Sequence, residues 1–202
     1  MIAALHPGAF YHIEALEGPR YASLFARLIR PEALDEATLS GISALLVPCR
    51  TSPARLVPHT ALFRSFLARG GTLVAMGETF QDLWLPGLTL TPEPTNWWWW
   101  LTPGADLGLR ILRPDHPLMR GIAETDASWH LHGWFDTPPG AEVLIADRGG
   151  RALLFVDAVN HGAGRLVATT LDPFYHHGSH FMPATTRFLD RFLANLLAWN
   201  PP

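Results

Sequence analysis

The histidines of this chain are spaced for chemistry. "WHLHG" sets His130 and His132 two residues apart, on one face of an extended segment and roughly 7 Å from each other, within reach of one ion or one ligand. "LDPFYHHGSH" gathers Asp172, His176, His177 and His180 into one short stretch, and "GET" adds the carboxylate of Glu78. Such a set has several uses. Neutral imidazoles with a carboxylate suit zinc or manganese, with His130, His132, Asp172 and His177 as the candidate ligands. Glu78, Asp172 and His176 could instead work as acid and base, Asp172 orienting a histidine. Arg50, His130, His132 and His177 could hydrogen-bond the hydroxyls of a bound molecule. A buried structural network would use the same residues, and this reading stays open beside the others.

"TNWWWW" places Trp97, Trp98, Trp99 and Trp100 in sequence. A strand turns successive side chains to two faces and a helix spreads them all round, so four consecutive indoles cannot enter one core. Some are left for a ligand, a second subunit or another part of the chain. A rim of indoles beside convergent polar groups is the lining of a small-molecule pocket, and tryptophan is equally at home in a subunit interface. Small-molecule binding and a homodimer are therefore both expected.

Composition excludes much else. The chain has 202 residues, is 48% hydrophobic and 16% charged, and carries a formal net charge of -3. It is long enough for one domain with a substantial core, and residues 1–202 read as one. All 15 basic residues are arginine and form no stripe, which argues against a nucleic-acid partner. The absence of lysine removes the Schiff-base amine that pyridoxal phosphate (PLP) requires, and with it a Walker-type phosphate lysine. The single cysteine, Cys49, forbids an internal disulfide. "MIAALHPGAFYH" has neither a charged n-region nor a long apolar one, and no apolar run approaches a membrane span, so a cytoplasmic protein is expected.

The elements that must position these residues read as α/β. "MIAAL" suits a buried strand, and "GPRYASLFARL" has helical spacing at Tyr21, Leu24, Phe25 and Leu28. "ISALLVPC" reads as a buried strand, residues 55–71 as an amphipathic helix stopped by glycines, and "TLVAM" as the next strand. Such a crossover predicts parallel strands in a flavodoxin-like, doubly wound, mostly parallel sheet with helices on both faces. Residues 77–122 form a long segment rich in proline, glycine and tryptophan, too long for an ordinary loop. Strands return at "SWHLHGWF", "AEVLIA", "ALLFVDAV" and "RLVATTL", the last two as an antiparallel hairpin, and "ATTRFLDRFLANLLAW" closes the chain as a helix.

In a doubly wound sheet, ligands sit beyond the carboxyl ends of the strands, which is where Arg50, Glu78 and Asp172 stand. The stretch "FLARGGTLVAMGETFQ" resembles the strand and elbow of class I glutamine amidotransferases, whose motif is Gly-x-Cys-x-Gly-x-Gln; aligned on Gln81, Gly77 falls where the cysteine should be. Their second motif, His-Pro-Glu, aligns with "LDPFYHH", where Asp172 and Phe174 replace histidine and glutamate and Pro173 is kept. Cys49 lies after the preceding strand and reads as a structural thiol. Within that superfamily the chain is most similar to the ThuA-like branch, linked to trehalose utilisation, and to the central domain of some β-galactosidases. The resemblance implies the fold, the loss of glutaminase chemistry, and a carbohydrate-like ligand whose C–H faces could pack on the tryptophans.

Overall fold

The computed structural model describes residues 1–95 and 97–200. Among the described residues ten strands form one open sheet: β1 (Ile2–Leu5), β2 (Arg27–Ile29), β3 (Ala44–Val47), β4 (Thr72–Ala75), β5 (Thr89–Pro92), β6 (Arg110–Ile111), β7 (Gly133–Asp136), β8 (Glu142–Ala146), β9 (Ala152–Asp157) and β10 (Arg165–Thr169). Its parallel half runs β2-β1-β3-β4-β10, the flavodoxin-like order. β9 then joins β10 antiparallel, and β7, β5, β8 and β6 extend the sheet in the same sense. The helices are α1 (Phe10–Leu16), α2 (Pro53–Leu56), α3 (Thr60–Ala68), α4 (Glu124–Ala127), α5 (Pro173–Gly178) and α6 (Pro183–Trp199).

The inner strands of the parallel half, β1, β3, β4 and β10, are buried on both sides because both sides are covered, whereas the edge strand β2 exposes Arg27 and Leu28. Ala4, Leu46, Val74 and Val167 pack with Leu16 of α1, Phe174 of α5 and the Phe188, Leu189, Phe192, Leu193 and Leu196 stripe of α6. Their neighbours Leu5, Leu45, Leu73 and Leu166 pack on the other face with Leu56 of α2 and Phe63, Phe66 and Leu67 of α3. β3 and β4 pair in parallel, Leu45 opposite Leu73, as the crossover predicts.

Three expectations from spacing are corrected. Residues 18–28 form no α-helix: a single 3-10 turn at Ala22–Leu24 leads into β2, and the helical spacing reflects a turn burying Tyr21 and Phe25. The helix read over 55–71 is broken into α2, a 3-10 turn at Val57–His59 and α3, because Pro58 has no N–H to continue the ladder. Residues 128–132 are irregular and only 133–136 are strand, since Trp129 and His130 are both buried and a one-sided strand cannot bury consecutive side chains. The long segment 77–122 carries β5, β6 and three 3-10 turns among its described residues.

Candidate functional site

The site begins with a close approach of backbones. Gly77, just past β4, donates its N–H to the Leu171 carbonyl at 2.9 Å and accepts the Arg50 N–H at 3.1 Å, tying together the carboxyl ends of β3, β4 and β10. A Cβ at Gly77 would sit 2.3 Å from the Thr170 carbonyl oxygen, so no side chain fits there. The elbow instead holds Glu78 at φ 52° and Phe80 at φ 51° in the left-handed region, and Arg50, after β3, is left-handed at φ 61°. Such backbone costs about 1–3 kcal/mol per residue and gathers at functional sites. Its effect here is to bring two side chains face to face, with Arg50 Nη2 2.7 Å from Glu78 Oε2.

Beneath that pair lies Asp172, wholly buried at the start of α5. The Trp129 indole N–H donates to its Oδ1 at 2.9 Å; His132 Nε2 and His176 Nε2 stand 3.2 and 3.4 Å from the same atom, and Arg50 Nη2 3.5 Å from Oδ2. Burial alone would raise its pKa, but the contacts and charge of His132 and His176 hold the carboxyl below the usual carboxylate range. His132 is shared: its Nδ1 is 3.6 Å from Glu78 Oε1 and 2.9 Å from Thr95 Oγ1. Burial works against its charged form, yet Asp172 and Glu78 outweigh burial and push the imidazole up. His130 has the opposite fate, pulled down to about 4 by burial and by the neighbouring His176, whose ring centre is 5.0 Å away.

Among the four consecutive tryptophans, Trp97 meets this group, edge-on to His130 with ring centres 4.5 Å apart and 5.7 Å from His132. Trp99 turns inward to donate its N–H to the Trp129 carbonyl, and Trp100 donates to the Trp97 carbonyl with its ring 6.2 Å from Trp98. His177 is not brought in: its Nδ1 meets Thr186 Oγ1 at 2.8 Å and its ring packs on Tyr21. The structure thus gathers Arg50, Glu78, His130, His132, Asp172, His176 and Trp97, while His177 is turned away to Thr186 and Tyr21. Three contributors were not singled out in the sequence: Trp129, Thr95 and Tyr175, over whose ring the Arg50 guanidinium lies at 3.6 Å. Trp129 had a signal, since it directly precedes His130, but strict alternation would have turned it away from His132's side.

Cys49 is fully buried below this layer, its thiol accepting the Tyr175 N–H at 3.2 Å. Burial first, then the charge of Asp172, push it well above the ordinary thiol range, so it holds its proton at neutral pH. Gln81 is buried and donates to the Thr169 carbonyl at 3.0 Å, anchoring the elbow loop to β10. Beside Glu78, a hollow of about 140 Å³ opens between Gln81, Glu93, Thr95, His132 and Thr170. A larger cavity of about 460 Å³, between Arg64, Leu85, Asp157 and His161, lies at the opposite edge of the sheet, away from this group.

No protein-family model matches the sequence, and no curated protein does. Solved structures do match. A candidate GMP synthase component from Thermoplasma acidophilum superposes with a TM-score of 0.61 at 11% identity, over 98% of this chain and 95% of that one. A candidate ThuA-like protein from Bacteroides uniformis gives 0.58 at 12% identity, over 98% and 89%. A glutamine amidotransferase from Thermotoga maritima gives 0.54 at 11% identity, over 98% and 84%. The chain therefore has the class I glutamine amidotransferase-like, ThuA-like fold. No helix among the described residues is long and apolar enough to cross a membrane.

Proposed function

We propose that this chain keeps the amidotransferase scaffold without its glutaminase chemistry, and holds a hydroxyl-rich, carbohydrate-like small molecule at the carboxyl edge of its sheet. The observation that carries this reading is the left-handed pair Arg50 and Glu78, strained into an ion pair directly above Asp172 and His132. Strain of that kind persists where a site gains from it. Glu78 and His132, 3.6 Å apart beside the polar hollow, are placed to exchange a proton with a bound hydroxyl, and Asp172 orients His132 from below. Trp97 supplies an apolar face above them. Glutamine hydrolysis needs an accessible thiolate at the elbow, and the elbow offers Gly77 and Glu78 while Cys49 is sealed beneath.

A panel of mono- and disaccharides titrated while tryptophan fluorescence is followed tests the reading. At least one sugar is expected to bind, and Trp97→Ala to weaken it by about 1–3 kcal/mol without a comparable loss of stability, by analogy with stacking on nucleobases. Ammonia release from glutamine should stay at background. No response across the panel, or equal binding by Trp97→Ala, sinks the proposal.

A second reading rests on exposure. Trp100 and Leu101 are 46% and 59% exposed and adjacent, which favours a contact with a second copy of the chain. Under that reading Trp100→Ala shifts the protein from dimer to monomer in sedimentation and leaves sugar binding intact; a wild-type monomer at all concentrations removes it.

A further inference from the structure

We infer that Glu78, His132 and Asp172 form a binding site for one divalent transition-metal ion of the zinc or manganese type. The inference rests on reading this edge as a working site, and concerns what that site holds besides an organic ligand. One donor atom from each of the three residues lies within 4.8 Å of the other two. An ion with bonds of about 2.0–2.2 Å keeps its donors roughly 3–4 Å apart, so closing the triad takes small side-chain shifts and no backbone movement. An imidazole with two carboxylates suits zinc or manganese, whereas magnesium and calcium prefer oxygen alone.

The surroundings have the supports that metal ligands need. The Trp129 N–H fixes Asp172 at Oδ1 and Thr95 stands against His132 Nδ1, so two of the three ligands are oriented by a further contact. The triad comes from three different segments: the Gly77 hydrogen bonds tie those of Glu78 and Asp172 together, and the His132 carbonyl accepts the Glu93 N–H at 3.2 Å. A separate sign is His130: it is buried, and neither ring nitrogen has a hydrogen-bond partner among the described residues. Buried imidazoles are normally satisfied, and an orphaned one, with its ring centre 6.3 Å from that of His132, points to a group supplied from outside the chain.

Arg50 explains how the site stands without the ion. Its guanidinium touches both Glu78 and Asp172 and gives the two carboxylates one positive charge. An ion would compete with Arg50 for them, and the guanidinium retains the Tyr175 ring as a resting place. Removing Arg50 should therefore tighten metal binding, the reverse of what removing a ligand does.

The test is calorimetric titration of chelator-treated protein with zinc chloride and with manganese chloride, and bound metal counted by mass spectrometry. One ion per chain is expected. Glu78→Gln and His132→Gln should each weaken it by about tenfold or more, Arg50→Gln should strengthen it by about tenfold, and the exposed His180→Gln should leave it unchanged. Cobalt absorption in the visible gives a readout on the wild-type protein alone, so a variant that folds poorly does not leave the question open. No retained ion, or equal binding by Glu78→Gln and His132→Gln, overturns the inference. Sugar binding that persists in chelator with no metal uptake removes the ion and leaves the ligand reading; metal uptake with no sugar response does the reverse.

Discussion

Glu78 and Asp172 carry the same charge and stand on the same histidine, yet the energetics assign them different work. Asp172 has no exposure and is held by Trp129, His132 and His176, so converting it to asparagine removes the charge that balances buried imidazoles. Breaking a buried pair in this way costs about 3–5 kcal/mol, and Asp172→Asn should lower the unfolding free energy by that order in urea melts. Glu78 keeps 29% of its side-chain surface in solvent and pairs with a similarly placed Arg50, so Glu78→Gln should change stability by no more than about 1 kcal/mol. The pair of measurements separates scaffold from site: Glu78→Gln is expected to lose ligand while staying folded. If Glu78→Gln instead destabilises as much as Asp172→Asn, the elbow carboxylate is structural and its strain has no functional reading. Cys49 gives the residue-scale check on lost chemistry. Cys49→Ser should leave ligand binding unchanged, and a glutamine analogue that alkylates Cys49 stoichiometrically would contradict its burial.

Between elements, the decisive feature is how tightly β4 and β10 end against each other. Gly77→Ala would press a methyl group into the Thr170 and Leu171 carbonyls, backbone atoms that cannot move without parting the strands, and should cost about 2–3 kcal/mol. Gly87→Ala is the control, since its φ is 98° and nothing lies near its Cβ; backbone strain alone should cost about 1 kcal/mol there. Equal thermal shifts for the two would show that the strand ends are looser than these contacts require. The same closeness explains what could be read in advance. β3, β4, β9, β10 and α6 are legible because each is a continuous apolar run or a 3.6-residue stripe. α1 has only seven residues, too few for a period to emerge, and α5 is hidden under residues that look like site residues because Asp172 and His176 belong to it. Arg50, Glu78 and Asp172 could be placed at the carboxyl edge from strand ends alone, whereas His132, read inside a strand, reaches it because the strand begins only at Gly133. Excluding His177 required the helix: α5 turns His176 toward Asp172 and, one residue on, His177 toward Tyr21 and Thr186. The tie from Trp129 to Asp172 depends on residues 128–132 leaving strand geometry, which no pattern announces.

For the molecule as a whole, His12 ties α1 to the loop that follows β3. It lies wholly buried on α1, 37 residues from Cys49 in sequence, and its Nε2 is 2.9 Å from the Cys49 carbonyl, the position of a donated N–H. Its Nδ1 has no hydrogen-bond partner among the described residues, and His6 and Arg55 are basic side chains near it. Burial chiefly, offset in part by the Cys49 carbonyl and reinforced by His6 and Arg55, lowers its pKa to about 4. An unfolded chain would protonate this imidazole near pH 6.5. Above that value both states leave it neutral and it adds no pH dependence. As pH falls from about 6.5 toward 4, the unfolded chain takes a proton that the fold refuses, so stability is lost through that window, by an amount on the order of 3 kcal/mol when complete. His12→Gln, which retains an N–H donor for the Cys49 carbonyl and cannot titrate, should flatten that part of the curve. Urea midpoints for the two proteins at pH 7.5 and at pH 4.5 make the comparison: the wild type should lose more between them than His12→Gln, by about 2 kcal/mol, and parallel losses would mean that α1 releases His12 to solvent before the rest of the sheet gives way.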